Sequence, residues 1–100
     1  MSVYGYCRVA LANDKEMEQQ KARVAEYCRM NQLEIDECFC DNGVSGLTLE
    51  REGLQKMLGS LKKGDAVVVK DAARLTRSMY EYMTLESYFN DIGVTLKIIE

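Results

Sequence analysis

The sequence contains no histidine, no proline and no tryptophan. The lack of histidine removes the usual general base, the commonest metal ligand and the usual activator of a nucleophile. No apolar run reaches the length that spans a membrane, and the first residues lack the charged and then apolar profile of a signal peptide. We therefore expect a soluble, cytoplasmic protein with no membrane partner, whose chemistry does not depend on histidine.

Length and charge set further bounds. The chain has 100 residues, 47% of them hydrophobic, which suffices for one folded domain with one modest core. Its formal net charge is −3, so the domain is not expected to provide the main nucleic-acid-binding surface, although a local basic site is compatible with this charge. Because the chain stops at Glu100, beside a predicted strand, we expect residues 1–100 to be one domain of a longer polypeptide.

Four cysteines are present, at positions 7, 28, 38 and 40. Cys38 and Cys40 are two residues apart, so on a strand their thiols share one face. Without a CxxC pair or a histidine, a zinc site is not expected. Thiols that stay buried and reduced in a cytosolic protein explain the pattern better, and we predict no metal.

Strand and helix patterns alternate along the chain. The predicted strands cover residues 3–10, 33–40, 66–69 and 94–99, and the predicted helices cover about 14–30, the region of the apolar stripe Leu54, Met57, Leu58 and Leu61, and about 78–92. The alternation β-α-β-α-β-α-β predicts an α/β fold with a mostly parallel sheet and helices on both faces.

Polar residues mark where the helices begin and end. Asn13 and Ser78, each followed three residues later by glutamate, resemble capping boxes, and Thr48 is predicted to cap the middle helix. The segment 62–64, Lys-Lys-Gly, predicts the end of that helix, with cations in its last turn and glycine after it.

The first strand combines an apolar sequence with an arginine near its carboxyl end. Alternation places two sets of side chains on opposite faces: Tyr4, Tyr6, Arg8 and Ala10 on one, and Val3, Cys7 and Val9 on the other. In open α/β sheets, ligands bind at the carboxyl ends of strands. A buried guanidinium there is expected to need an anionic partner, and a bound ligand and a salt bridge to Asp or Glu are both open.

Two further arginines follow the carboxyl end of a second predicted strand. Arg74 and Arg77 follow the strand at 66–69, which is a plausible neighbour of the strand that carries Arg8. Three converging guanidiniums repel one another unless an anion lies between them, and their planar forks suit phosphate oxygens. The alternative is a solvated loop in which Arg74 and Arg77 merely lie near acidic helices. No GxGxxG, GxxxxGK[ST] or flavin-phosphate loop is present, so a flavodoxin-like nucleotide or redox module is the weakest hypothesis.

Short motifs follow one another in a fixed order along the chain. They are Tyr4-Gly5-Tyr6-Cys7-Arg8-Val9, Gln20, the loop from Asp41 to Ser45-Gly46, Arg51-Glu52-Gly53-Leu54, Gly64-Asp65, and Arg74-Leu75-Thr76-Arg77-Ser78. In this order they resemble the serine recombinase family, the resolvases and DNA invertases. The resemblance covers the whole chain, and it implies the three-layer, flavodoxin-like fold of a resolvase N-terminal catalytic domain.

The resemblance implies site-specific DNA recombination without a metal or nucleotide cofactor. In that family a serine attacks the scissile phosphodiester, forms a 5′-phosphoserine linkage and releases a 3′ hydroxyl, and strands exchange within a tetramer. By this resemblance Arg8, Arg74 and Arg77 hold and polarise the phosphate. The residues implied to line or support the site are Gln20, Arg51 and Tyr6.

Two positions depart from the family pattern. Ala10 occupies the position of the serine nucleophile, and Ala73 occupies that of the aspartate before the Arg-Leu-x-Arg motif. Alanine cannot attack phosphorus, Ser45 is on another loop, and Cys7 points to the opposite face of its strand. Asp71 is expected either to neutralise the arginines in part or to replace the missing carboxylate. As written, the chain is expected not to cleave DNA.

Two explanations of these departures remain open. In one, Ala10, Ala73 or both are laboratory substitutions in an active recombinase. In the other, which we favour because two positions differ, the chain is a natural pseudo-recombinase that binds DNA or regulates an active partner. The expected partners are DNA, contacted mainly through a domain beyond residue 100, and further copies of the chain. The full-length protein is expected to form a dimer or tetramer, and this fragment a monomer or weak dimer.

Overall fold

The computed structural model describes residues 1–47 and 49–100. In chain order its elements are strand β1 (Val3–Val9), helix α1 (Asp14–Met30), strand β2 (Glu37–Asn42), helix α2 (Glu52–Ser60), strand β3 (Ala66–Val69), helices α3 (Ala72–Leu75) and α4 (Met79–Ile92), and strand β4 (Thr95–Ile98). The predicted alternation of strands and helices is confirmed. The short helix α3 is an addition, because its four residues lie in a stretch that the sequence pattern assigned to a loop.

The four strands form one sheet in the order β2-β1-β3-β4, and every neighbouring pair is parallel. Helix α1 covers one face, where Val24 and Cys28 join the apolar cluster that contains Cys7. Helices α2 and α4 cover the other, where Leu54 and Phe89 belong to a second cluster. This three-layer arrangement confirms the predicted α/β class, and it places the carboxyl end of β1 between two neighbouring strands.

The faces of β1 are those that its alternation predicts. Tyr6 lies in the cluster beneath α2 and α4, and Cys7 lies in the cluster beneath α1. The strand ends at Val9, whose carbonyl accepts hydrogen bonds from the N–H groups of Gly43 (2.7 Å) and Val44 (3.1 Å). Ala10, predicted to be the last strand residue, therefore lies just beyond β1 and is exposed.

The second strand begins later than predicted. Leu33 and Ile35 alternate with polar residues as strand residues do, but Leu33 is still part of the turn after α1, and residues 33–36 form neither helix nor strand. The N–H of Leu33 bonds to the carbonyl of Cys28 (2.7 Å) and Gln32 has a left-handed φ of 57°, so the end of α1 extends into this segment. Strand β2 consequently covers Glu37–Asn42, two residues further than the predicted end.

Helix α2 also differs from its prediction. It ends at Ser60, so the lysines at 62 and 63 lie outside its last turn, and the predicted dipole contribution does not apply. The turn is instead closed by Asp65, which accepts hydrogen bonds from the N–H groups of Lys62 (2.8 Å) and Ser2 (2.9 Å). Both hydrogen bonds lower the pKa of Asp65, and the bond from Ser2 has the larger effect. Thr48, the predicted cap, lies outside the described residues, and the residue at the N-cap position is Arg51.

The other two predicted caps are confirmed. The side chain of Asn13 accepts a hydrogen bond from the N–H of Glu16 (3.0 Å), and that of Ser78 accepts one from the N–H of Glu81 (3.3 Å). Gly93 ends α4 with a left-handed φ of 75°. Among the described residues, no helix combines the length and apolar character that crossing a membrane requires.

Candidate phosphate-binding cleft

An open cleft of about 350 Å³ lies at the carboxyl end of β1. Its lining residues are Arg8, Val9, Ala10, Leu11, Ala12, Asn13, Glu16, Arg74 and Arg77. The three arginines that the sequence singled out therefore line one cleft, and Ala10 lies in it with them. Glu16, which brings an exposed carboxylate to the same cleft, was not predicted as a site residue. The sequence indicated only its place in the capping box at the start of α1.

Arg8 is fully buried, with 1% of its surface exposed, and its partners are main-chain carbonyls. Its Nε donates to the carbonyl of Arg74 (3.2 Å), Nη1 to that of Val44 (2.9 Å) and Nη2 to that of Ala73 (2.6 Å). Of the two partners that the sequence left open, an Asp or Glu side chain does not pair with Arg8 among the described residues, and three main-chain carbonyls accept from its guanidinium instead. Burial, and then the neighbouring Arg74 and Arg51, lower the pKa of Arg8.

Gln20 holds the main chain of Arg8. Its side-chain oxygen accepts from the N–H of Arg8 (3.2 Å), and its amide nitrogen donates to the carbonyl of Arg8 (2.9 Å). Strand β3 pairs with β1 only as far as Tyr6, so beyond that point Gln20 takes the place of a neighbouring strand. Gln20 is buried and does not line the cleft, which makes it a positioning residue for Arg8.

Arg74 connects helix α3 to the end of β1. Its Nε pairs with Asp71 Oδ1 (3.1 Å), and its Nη1 donates to the carbonyl of Arg8 (2.9 Å). Asp71 also lies 3.9 Å from Lys70 Nζ. Of the two roles expected for Asp71, the geometry matches partial neutralisation of an arginine, because its carboxylate is engaged with these cations.

Arg77 is the exposed arginine of the cleft. Its main-chain N–H donates to the carbonyl of Gly46 (3.0 Å), which fixes where its side chain starts. Within residues 1–47 and 49–100, its guanidinium has no ion pair or hydrogen bond. Arg77 therefore has the full set of guanidinium donors available for an anion.

Gly46 separates the side chains of Arg8 and Arg77. A Cβ atom at this position would lie 2.7 Å from Arg8 Nη2 and 2.8 Å from Arg77 Cγ. Because Arg8 is held by three carbonyls, it cannot move aside easily. Glycine in the predicted Ser-Gly loop thus provides the space in which the two arginines approach one another.

Arg51 and Tyr6 lie behind the cleft. Arg51 Nη1 donates to Tyr6 Oη (3.0 Å) and to the carbonyl of Arg74 (3.0 Å), and Nη2 donates to the carbonyl of Leu75. Tyr6 in turn donates to Asp41 Oδ2 (2.7 Å). Burial first, and then the bond to Asp41, raise the pKa of Tyr6, so the phenol is neutral. Both residues support the site from within the core.

Helix α3 is held at its carboxyl end by two buried cations. Arg8 binds the carbonyls of Ala73 and Arg74, and Arg51 binds those of Arg74 and Leu75. These groups have no partners within so short a helix, and positive charge is favoured there. Ala73 is thus placed against Arg8 by its carbonyl, and Ala10 lies in the cleft lined by the same arginine.

The cysteines form a cluster that sequence reasoning did not find. The thiol cluster consists of Cys7, Cys38 and Cys40, on the face of the sheet that α1 covers. The pKa of Cys38 is lowered to about 7, chiefly by its hydrogen bond with Cys7. Burial raises the pKa of Cys40 to about 11. The hydrogen bond with Cys38, and then burial, raise the pKa of Cys7. The prediction that Cys7 faces away from Arg8 is confirmed, so Cys7 is not a nucleophile for this cleft.

The sequence of residues 3–100 matches the family described as resolvase, N-terminal domain. The chain belongs to this family. It is 32% identical over 100 residues to a resolvase/recombinase of Pseudomonas putida and 31% identical to the transposon Tn1546 resolvase of Enterococcus faecium; these alignments cover 100% of this chain and 52% and 48% of the relatives. The chain thus spans about half the length of these curated relatives. The resemblance to serine recombinases is confirmed.

The fold agrees with the family assignment. The structure superimposes on the C-terminal catalytic domain of ISC1926 TnpA, an IS607-like serine recombinase, with a TM-score of 0.84 and 26% identity, covering 100% of this chain and 68% of that chain. The predicted resolvase-like arrangement of a parallel sheet between helices is therefore confirmed. The serine recombinase domain of this chain carries its cleft at the carboxyl end of the inner strand β1.

Proposed function

We propose that this chain is the catalytic-type domain of a site-specific DNA recombinase, and that its cleft binds a DNA phosphodiester. The observation that carries the proposal is the convergence of Arg8, Arg74 and Arg77 on the cleft that contains Ala10. A tetrahedral phosphate group with two charged oxygens suits such a set of guanidiniums. The acidic net charge of the chain does not oppose this, because the positive potential is local.

The three arginines have different tasks in this proposal. Arg77, which is exposed and unpaired among the described residues, contacts the phosphate oxygens directly. Arg74 is half-buried and held by Asp71, so it presents a fixed positive charge. Arg8 contributes charge from beneath the cleft and fixes α3, and Gln20, Arg51 and Tyr6 keep this arrangement in place. No metal and no nucleotide cofactor takes part in this phosphate binding.

The chain as written lacks the group that attacks phosphorus. In the family's chemistry a serine oxygen forms the new P–O bond, and the P–O3′ bond breaks as the 3′ oxygen leaves and gains a proton. Ala10 has no oxygen for this step, and Ala73 offers no carboxylate. The proposed domain therefore binds the phosphodiester without cleaving it.

A second function is favoured by the same two alanines. A domain that keeps the cleft but not the nucleophile acts as a regulatory pseudo-recombinase, which binds DNA or associates with an active recombinase. This alternative differs from an inactivated enzyme in one respect: restoring Ser and Asp at positions 10 and 73 does not restore cleavage.

Removing Arg77 tests the cleft. We expect Arg77→Ala to weaken binding of inorganic phosphate and of a phosphodiester about tenfold, because a charge-assisted hydrogen bond contributes roughly 1.5–3 kcal/mol. NMR titration of the amides of Ala10 and Arg77 measures this binding in the parent. Arg29→Ala removes an equal charge from an exposed position at the end of α1, outside the cleft, and serves as the control. Equal affinities in the two variants would contradict the proposed phosphate site.

The proposed partners are DNA and further copies of the chain. The relatives extend well beyond the length that this chain matches, and we place the main DNA-reading part of the protein beyond residue 100, in a longer polypeptide. The four cysteines, at positions 7, 28, 38 and 40, form no disulfide bond among the described residues, and this supports a cytoplasmic location.

The apolar surface of α4 supports self-association. Met79, Tyr80 and Met83 are 73%, 80% and 60% exposed, an unusual concentration of large apolar side chains on one helix. We expect residues 1–100 to behave as a monomer or weak dimer, and Met83→Lys to abolish the dimer. Light scattering across a concentration series measures both, with Lys56→Ala, an exposed change on α2, as the control. A tight tetramer of the fragment would contradict this.

A further inference from the structure

The thiol cluster lies apart from the arginine cleft and has no role in the function proposed above. Its three Sγ atoms lie within 4.8 Å of one another, and those of Cys7 and Cys38 are 3.7 Å apart. The parallel register produces this: Cys7 of β1 lies opposite Cys40 of β2, and Cys38 is two residues earlier on the same face. Two strands thus supply three sulfur ligands to one point.

We propose that Cys7, Cys38 and Cys40 bind one soft divalent cation of the Zn²⁺ type. Zinc binds thiolate sulfur at about 2.3 Å, and a tetrahedron of that bond length has sulfur atoms about 3.8 Å apart. The observed Cys7–Cys38 separation of 3.7 Å matches that edge. Cys40 needs only a small side-chain adjustment, since the whole set is already within 4.8 Å.

The glycine below the cluster provides the space. A Cβ atom at Gly5 would lie 3.1 Å from Cys38 Sγ and 3.0 Å from a methyl group of Val24. Any larger residue at this position would therefore push against the ligand sulfur from one side and α1 from the other. Gly5 is the direct strand partner of Cys38, so the register of β1 and β2 places the smallest residue beside this ligand.

Charge favours a divalent over a monovalent ion. Three thiolates and a divalent cation leave one net negative charge, and Lys21 of α1 acts electrostatically on both Cys38 and Cys40. A monovalent ion would leave two negative charges in a partly buried place, which costs more. Cys7 is buried but Cys38 and Cys40 are half-buried on an edge strand, so an ion can enter there and a solvent molecule can complete its coordination.

Binding at this place would link β2 to β1. Strand β2 is an edge strand, and Asp41 and Asn42 at its end lead into the loop that carries Gly46. Metal binding would therefore raise the thermal stability of the chain, because the folded state presents the three thiols together and the unfolded chain does not.

The test is a Zn²⁺ titration of the reduced full chain against a chromogenic zinc chelator, followed by Co²⁺ substitution. We expect one Zn²⁺ per chain, a higher melting temperature, and with Co²⁺ the sulfur-to-metal charge-transfer and visible bands of tetrahedral thiolate coordination. Cys38→Ser is expected to lower the affinity more than 100-fold, beyond the 10–100-fold cost of losing an outer-shell partner. Cys28→Ser, a buried cysteine outside the cluster, is expected to leave it unchanged.

Four results would overturn the proposal. One is no Zn²⁺ uptake by the parent at micromolar metal. The second is uptake that Cys28→Ser and Cys38→Ser reduce equally. The third is a cobalt spectrum without sulfur charge transfer, a measurement that needs only the parent chain. Formation of a Cys7–Cys38 disulfide in air with no metal uptake from the reduced protein would also reject the metal site.

Discussion

Replacing Ala10 with serine and Ala73 with aspartate, in the whole protein that carries this domain, is expected to produce a covalent protein–DNA adduct that the parent does not form. Ala10 is exposed in the cleft that Arg8, Arg74 and Arg77 line, so a hydroxyl there meets any phosphate that the arginines hold. Loss of a serine nucleophile costs roughly a factor of 10⁶ in rate in a well-studied hydrolase. Restoring the serine is therefore expected to change the rate of DNA cleavage more than any other substitution considered for this chain.

The expected adduct depends on groups that the parent already has in place. Arg8 is fixed by three carbonyls and by Gln20, so the main chain leading to position 10 is held where the cleft needs it. Electrostatic stabilisation of the developing charge requires donors that are positioned before the reaction, and Arg74 and Arg77 provide them. The carboxylate at position 73 would lie next to Arg8, whose guanidinium already contacts the carbonyl of that residue.

The measurement is the appearance of a slower band on a denaturing gel with labelled DNA carrying the protein's own recombination site. Mass spectrometry of the digested adduct then locates the phosphoserine. Ala12→Ser is the matched control, because it places a hydroxyl in the same cleft three residues beyond the strand end and two beyond Ala10. It is expected to give no adduct.

The opposite outcome is equally informative. If the double variant binds DNA as the parent does but never forms the adduct, the catalytic-type assignment fails and the regulatory pseudo-recombinase is favoured. If both Ala10→Ser and Ala12→Ser give adducts, the reaction does not depend on the position at the end of β1, and the proposed geometry is wrong.

The order of elements was predictable because it depends on local patterns. The continuous apolar run Ala66–Val69 predicts a buried parallel strand, and Asn13 and Ser78 cap helices where their spacing to glutamate predicts. The start of β2 was mispredicted because Leu33 and Ile35 alternate as in a strand. The backbone of Leu33 belongs to the turn that ends α1, and residues 33–36 form neither helix nor strand; side-chain periodicity carries no information about either.

The partners of the arginines were not predictable for a different reason. Arg8 and Arg51 bind main-chain carbonyls at the end of α3, and a carbonyl has no residue identity that a sequence pattern could show. The thiol cluster was missed because it depends on register. Cys7 meets Cys38 and Cys40 only with β1 and β2 parallel and paired as they are, and a slip of one residue would turn one set of thiols to the other face.

Arg51→Ala is expected to destabilise the fold by roughly 3–5 kcal/mol, the usual cost of removing one member of a buried charged network. Arg51 is 1% exposed, and its removal takes a donor from the carbonyl of Leu75, from the carbonyl of Arg74, which keeps Arg8, and from the hydroxyl of Tyr6, which keeps Asp41. Unsatisfied buried acceptors cost about 1–3 kcal/mol each, partly offset by the desolvation that the guanidinium no longer suffers.

The destabilisation expected for Arg51→Ala does not come from a lost helix cap. Arg51 stands at the N-cap position of α2, but its side chain makes no capping hydrogen bond there. The first N–H groups of α2 are bound by Asp41, which accepts from Gly53 (2.8 Å) and Leu54 (3.0 Å). The network thus stabilises two places at once: Asp41 holds the start of α2, and Arg51 holds the end of α3, with Tyr6 bonded to both.

Chemical denaturation followed by far-UV circular dichroism measures this loss, with Lys56→Ala as the control. Lys56 pairs with Glu52 on the exposed side of α2 at 3.0 Å, and such pairs contribute about 0.3–0.5 kcal/mol. Arg51→Lys should lie between the two, because lysine keeps the charge but lacks the planar fork that reaches the hydroxyl and two carbonyls together. A loss no greater than that of Lys56→Ala would show that Arg51 does not hold α3. Arg74 and Arg77 would then keep their places in the cleft by other means. The proposal that the network of Tyr6, Asp41 and Arg51 supports the phosphate site would be rejected.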